Sequence, residues 1–288
     1  MVRGLASFLL LVAGCVHRYE GPVIDVHAHL VGPEQLGSYA PGVGVGTGPL
    51  LAHLATTQVK HSALIVIAQA GDLPATRALN DHVLTEAVRS GGRLFPVGSV
   101  HPDDGELALA ELDRLQGLGF KMVKLHPNTQ HFDVASTAVA AVIERCGALG
   151  LVVLFDGYSP FDANQPGKLA VLAITHPKTK LILAHLGGPT FDAFGLFAMF
   201  EHYRFPYWQR NVWFDLSATA DFFADSPYAE QLRWLVRKIG VDRVLFGSDY
   251  PVDLPAHAID DVVRLGFTED EQRQIFFANA SALLGLDP

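Results

Sequence analysis

His27 and His29, in Val26-His27-Ala28-His29, close the mostly apolar run Val23-Ile24-Asp25-Val26. On a β-strand, residues two apart project from the same face. The two imidazoles would therefore leave the end of one strand together, a pairing suited to a divalent metal. Two histidines beside a turn can equally be satisfied by backbone or water, so the rest of the chain decides. Other ionisable residues recur in the same kind of place, at the ends of short apolar runs. They are Lys124 with His126, Asp156, His185, Asp215 with Ser217, and Asp249 after Gly247-Ser248. Scattered, locally satisfied polar residues would not gather in this way. As a set they predict one functional site with metal-assisted or acid–base chemistry.

The elements that must position these groups are legible as alternating patterns. Strand-like runs fall at 23–27, 63–67, 94–100, 122–126, 151–155, 181–185, 212–216 and 244–247. Several are almost uniformly apolar, as buried parallel strands are. Helix-like stretches at 76–89, 103–118, 134–149 and 230–239 stop at glycines, and Thr268-x-x-Glu271 reads as a capping box opening a final helix toward Leu284. Eight strands interleaved with helices over roughly 260 residues predict an α/β fold, the (β/α)8 TIM barrel. A doubly wound open sheet would usually have fewer strands and a Gly-rich first βα turn, which this chain lacks. In a barrel the chemistry sits at the C-terminal ends of the strands, where the residues named above stand.

The 288 residues are 49% hydrophobic, and no Pro/Ser-rich linker, repeat or charge block divides them. One domain is expected over 22–288, preceded by a leader at 1–15 and a short tether at 16–21. The leader has a positive start at Arg3, an apolar run from Leu5 to Val12, and Ala13-Gly14-Cys15. It is too short to span a membrane and has the layout of a signal peptide. Val12-Ala13-Gly14-Cys15 resembles a bacterial lipobox, which implies acylation of Cys15, a lipid-anchored protein of the bacterial cell envelope, and membrane contact through that anchor alone. With Cys15 acylated, Cys146 would be the one free thiol of the mature chain, with no disulfide partner and a core role. The net charge of −9, without a basic stripe, argues against nucleic acid as a partner. A small-molecule substrate is the expected partner, and a homo-oligomer is left open.

Asp25-Val26-His27-Ala28-His29, Val100-His101-Pro102, Lys124-Leu125-His126-Pro127, Leu183-Ala184-His185-Leu186-Gly187-Gly188 and Phe246-Gly247-Ser248-Asp249-Tyr250-Pro251 form an ordered series of phrases. With the tail Phe277-Ala278-Asn279-Ala280 to Leu286, this series resembles the amidohydrolase superfamily over about residues 22–286. It is most similar to the amidohydrolase-related branch, which includes aminocarboxymuconate-semialdehyde decarboxylase and related decarboxylases as well as hydrolases. The resemblance implies that His27 and His29 are metal ligands. It implies that Asp249 binds the metal and manages the proton of an attacking water, and that His185 is a catalytic acid/base or electrostatic stabiliser. The fifth phrase departs. Where the branch usually reads Leu-Phe-His-Thr-Gly, with a ligand histidine, this chain has Leu154-Phe155-Asp156-Gly157-Tyr158. A carboxylate can also bind zinc, so Asp156 is expected as the fourth ligand.

The expected cofactor is a divalent metal, zinc first and manganese second. Lys124 and His126 are expected to contact substrate, with a buried ion pair as the plainer role for Lys124. His101-Pro102 is expected to be a structural turn, and Asp215 part of an ion pair inside the barrel. Loops at 32–48, 157–167 and 218–228, the last carrying Phe222 and Phe223, would set substrate choice. The leading expectation is a metal-dependent hydrolase of a small amide, ester or lactone. The first alternative is a non-oxidative decarboxylase on the same barrel and metal; the second is a non-catalytic binding barrel.

Overall fold

The computed structural model describes residues 19–33 and 43–287. The leader, Cys15, the tether up to residue 18 and positions 34–42 of the glycine-rich loop lie outside the described residues. Eight strands form one sheet in chain order: β1 Val23–Asp25, β2 Val59–Ile65, β3 Leu94–Ser99, β4 Met122–Leu125, β5 Val152–Asp156, β6 Leu181–Ala184, β7 Val212–Asp215 and β8 Val244–Leu245. Every neighbouring pair is parallel. The first and last strands meet through backbone bonds just past their ends. Val26 N donates to Phe246 O at 3.0 Å, and His29 N to Tyr250 O at 2.7 Å. The expected (β/α)8 barrel is the observed fold.

Alternation along the strands separates two apolar layers. Ile24, Ala63, Ile65, Val97, Met122, Val152, Leu154, Ile182 and Leu245 pack together inside the barrel. Leu64, Val123, Val153, Phe155, Leu183 and Phe214 face outward into the layer shared with the helices. The period of two then carries Lys124 inward above Met122, and Asp156 inward above Leu154. Burying these charges at the top of an apolar interior is costly unless they are paired, and the pairs they make are the substance of the site. Ala280, Leu283 and Leu284 join the inner layer from the last helix, Asn279–Leu284.

Helix limits follow local chemistry. Ser136 caps the helix Thr137–Leu149 by accepting from Val139 N at 3.2 Å, a contact worth about 1 kcal/mol. Gly150 ends that helix with φ 72°, a left-handed conformation that costs glycine little. Thr268 and Glu271 form the expected capping box, but the helix beyond it passes through a π segment, Gln274–Ala278.

β2 begins four residues before the expected start. The polar stretch Lys60-His61-Ser62 hides it, yet Val59 and His61 pair with β1. The helices Thr47–Leu54, Gln165–Thr175, Gly195–His202 and Pro255–Arg264 were not separated from loops by pattern alone. Cys146 is free and buried, and burial pushes its thiol up to about 12. Among the described residues no helix is long and apolar enough to cross a membrane.

Candidate functional site

β1 ends at Asp25, so His27 and His29 stand beyond the regular ladder. Their convergence is set by β8 more than by strand pleating. Asp25 is fully buried and accepts from His27 N at 3.1 Å, Ser248 N at 3.0 Å and Ser248 Oγ at 2.7 Å. One carboxyl therefore fixes the turns that carry His27 and Asp249. Burial drives its pKa up to about 7 against the pull of the Ser248 hydrogen bonds. Asp249 has φ 57°, a left-handed conformation rare outside glycine and asparagine. Its N–H donates to His27 O at 2.6 Å, which holds it there. Gly247 makes this approach feasible, because a Cβ at that position would fall 2.8 Å from His27 Cβ.

The outcome is a compact trio. His27 Nε2 lies 3.2 Å from His29 Nε2, and Asp249 Oδ1 lies 3.3 Å from each of these nitrogens. His27 Nδ1 sits 3.1 Å from Asp215 Oδ2. An ionised carboxylate only accepts, so Nδ1 carries the proton and Nε2 presents its lone pair to the trio. A divalent ion about 2.1 Å from each of three tetrahedrally arranged donors sets those donors roughly 3.4 Å apart. Donor type, spacing and tautomer therefore fit such an ion. Burial, then the nearby Lys124, lower the His27 pKa to about 4, which keeps the ring neutral as a ligand must be.

Asp215 is buried at the end of β7. Besides His27 it accepts from His185 N at 3.1 Å, from Ser217 N at 3.0 Å and from Ser217 Oγ. Burial alone would raise its pKa, but His27 and these donors outweigh it and hold it at about 2. In place of the expected ion pair inside the barrel, Asp215 makes a hydrogen bond to the neutral ring of His27, a candidate ligand. Ser217, named in the sequence beside Asp215, gains a specific role here. Its carbonyl lies 3.1 Å from His185 Nδ1, and its Oγ touches both His27 Nδ1 at 3.1 Å and His185 Nδ1 at 3.0 Å. The carbonyl fixes the Nδ1 proton of His185, so His185 Nε2 faces the cavity.

Asp156 occupies the other side. Its Oδ2 lies 3.2 Å from His126 Nε2, 3.5 Å from His185 Nε2 and 4.0 Å from Lys124 Nζ. Burial of His185 disfavours its charge, but Asp156 and then Asp249 outweigh this and push its pKa up to about 9. This shift favours the imidazolium form of His185 at neutral pH. Asp156, despite burial, is held well below the carboxylate range by His185 and Lys124. His126 is driven down to about 4, chiefly by burial, and is neutral. The donor groups that gather closely are His27, His29 and Asp249, and also His27, His185 and Asp215. Asp156, the residue expected as fourth ligand, has the two imidazoles and Lys124 as its near partners.

These side chains line a cavity of about 210 Å³ with Ile67, Thr129, Pro251 and Val252. His185 and Asp249 also border a space of about 290 Å³ walled by Tyr158, Pro189 and Phe222. A larger hollow of about 710 Å³ lies among the outer helices, without a carboxylate in its lining, so chemistry places the site at the barrel mouth. Gln130 carried no signal in the sequence. Its Oε1 accepts from His126 N at 2.8 Å, and its amide donates to Ala68 O and Val100 O. His101 is buried with Nε2 2.6 Å from Gln130 O, the structural role expected of it.

An eight-stranded barrel with two histidines and an aspartate gathered at its mouth defines an enzyme of the amidohydrolase superfamily. The chain belongs to the amidohydrolase family, whose model matches residues 24–286. A curated relative, 2-amino-3-carboxymuconate-6-semialdehyde decarboxylase from Dictyostelium discoideum, is 24% identical over 254 residues, covering 75% of this chain and 68% of the relative. 5-Carboxyvanillate decarboxylase from Sphingomonas paucimobilis has a similar fold, with a TM-score of 0.71 at 16% identity over 93% of this chain and 100% of that one. Dihydroxybenzoic acid decarboxylase from Polaromonas, with bound manganese, gives 0.71 at 16% identity over 92% and 97%. These relatives overturn the hydrolase expectation, because all three are named as decarboxylases. The ion named among them is manganese, where the sequence reading put zinc first.

Proposed function

We propose that this protein is a metal-dependent, non-oxidative decarboxylase of a small unsaturated or aromatic carboxylic acid. The observation that carries the reading is His185. It is a buried imidazolium, ion-paired to Asp156, whose Nε2 faces the cavity beside the His27, His29 and Asp249 trio. Decarboxylation replaces a carboxylate by a proton and so requires an acid at the reacting carbon. The bond from that carbon to the carboxylate breaks, its electron pair stays on the carbon, and carbon dioxide leaves. A proton from His185 Nε2 forms the new C–H bond, and solvent later reprotonates the ring. No oxidant or reductant is consumed. A divalent ion held by His27, His29 and Asp249, manganese or zinc, would supply Lewis-acid polarisation of substrate oxygens. Asp215 keeps the His27 proton on Nδ1, Ser217 orients the His185 ring through Nδ1, and Asp156 keeps His185 charged. Tyr158 and Phe222 offer aromatic surface to the body of the substrate.

The test is a panel of hydroxylated aromatic and dienoic acids offered to the manganese-loaded protein, with carbon dioxide release measured beside amides, esters and lactones. Stoichiometric carbon dioxide with a protonated product supports the reading. Turnover of any panel member without carbon dioxide overturns it. We also propose export and acylation at Cys15, supported by the leader and by Val12-Ala13-Gly14-Cys15.

A further inference from the structure

Lys124 is fully buried, so its amine has no solvent to turn to. Nζ lies 3.1 Å from His27 Nε2, and its next acceptor is Asp156 Oδ2 at 4.0 Å. The contact with His27 has a consequence for the trio. Asp215 holds the proton of His27 on Nδ1, so the Lys124 N–H is directed at the Nε2 lone pair. That same lone pair is one of the three donors arranged for an ion. A single lone pair cannot serve an N–H and a metal together, and a lysine ammonium beside a divalent cation is repelled.

We propose that Lys124 is a displaceable latch on His27, and that Asp156 is the acceptor that takes Nζ when a metal binds. The proposal rests on the metal site of the preceding section. The surroundings support this direction of movement. Among the described residues lining the cavity, the carboxylates are Asp156 and Asp249, and Asp249 Oδ1 belongs to the trio itself. Asp156 is already steadied, its Oδ2 by His126 Nε2 and His185 Nε2 and its Oδ1 by Tyr158 N at 3.1 Å, so it can receive Nζ without itself shifting. Asp156 then favours metal binding without touching the metal. It stands at the position where the family places a ligand histidine, and its role has become that of a positioning residue acting through Lys124.

The two roles of Asp156 separate in a double-mutant cycle read by calorimetric titration of metal-free protein with manganese chloride. Lys124→Met should bind manganese about tenfold more tightly than wild type, and Asp156→Asn about tenfold more weakly, within the range usual for coupled buried neighbours. In the Lys124→Met background, Asp156→Asn should change affinity by less than about twofold. An Asp156→Asn loss of the same size in both backgrounds makes Asp156 a direct ligand and overturns the latch, as does unchanged affinity in Lys124→Met. No manganese binding by any of the four proteins overturns the metal site and the latch together. Binding by wild type with an additive cycle overturns the latch alone. Wild-type crystals grown with chelator and with manganese check the movement without any substitution. Nζ still at hydrogen-bond distance from His27 Nε2 in the loaded crystal refutes the proposal, and Nζ on Asp156 supports it.

Discussion

Replacing Asp215 by asparagine exchanges one oxygen for an amide nitrogen in a fully buried side chain, and the structure allows the effect to be followed atom by atom. The oxygen that remains in the variant can still accept from His185 N and Ser217 N, which lie 3.1 and 3.0 Å from Asp215 Oδ1. The new N–H groups then face His27 Nδ1, the atom that lies 3.1 Å from Oδ2 in the wild type. Two donors cannot face each other, so His27 moves its proton to Nε2 and withdraws the lone pair from the trio. Loss of such a supporting hydrogen bond typically weakens metal binding by about 10–100-fold. Stability changes with a defined sign. Asp215 drops from the ordinary 3.8 to about 2 on folding, which corresponds to about 2 kcal/mol. A depressed carboxyl contributes above its unfolded value, and the contribution is lost as pH falls through its folded value. The gap between wild type and Asp215→Asn should therefore be full at pH 7 and narrow below about pH 4. Calorimetric manganese titration, nitrogen NMR of the His27 ring and denaturant unfolding at several pH values measure all three effects. Manganese affinity within twofold of wild type, with Nδ1 still protonated, would refute the reasoning.

The remaining expectations are as direct. His185→Asn should lower turnover by roughly 10²–10⁴-fold while manganese content by elemental analysis stays near wild type. In the wild type, activity should fall as pH rises through about 9, where His185 loses its proton. The double change His27→Ala with His29→Ala should abolish stoichiometric metal and leave the far-ultraviolet circular dichroism of the barrel intact. Gly247→Ala places a methyl 2.8 Å from His27 Cβ and should cost about 1–3 kcal/mol by crowding, seen as a lower urea midpoint together with weaker manganese binding. Intact-mass analysis of protein from its native host should find Cys15 acylated at a new N-terminus. Met1 still present on an unmodified chain ends the export proposal.

The barrel was legible because buried parallel strands are short, apolar and separated by glycine-terminated helices, and because eight of them recur. β2 was shortened in the reading because Lys60-His61-Ser62 looks like loop until Val59 is seen to pair with Val23. The site was legible as a set of residue types, since His27, His29, Lys124, Asp156, His185, Asp215 and Asp249 all fall at strand ends. What the sequence could not convey was who partners whom. Asp156 was expected as a ligand from its place in the chain, and the structure brings its Oδ2 beside His126 and His185. That choice depends on side-chain directions in three dimensions. Ser217 was legible as a strand-end residue but not in its partners, and Gln130 carries no signal of its own, because a glutamine in a short turn is an ordinary residue. Their importance comes from which backbone groups they reach. The hydrolase expectation failed for a related reason: the same ligand set serves both chemistries, so residue types alone do not separate them, and the decarboxylase relatives do.

The meeting of His27 and Asp249 joins the two ends of the sheet, where the first strand touches the last. A ribosome releases the first of these residues long before the second, so the trio cannot exist on a nascent chain. An ion can settle there only after the whole wall has been wound and sealed. Once in place it would behave as a clasp, shrinking the freedom of an opened chain as a long-range cross-link does. The metal centre would thus double as a certificate of completed folding: a barrel whose last strand has slipped or been clipped holds no ion, and is silent rather than miscatalytic.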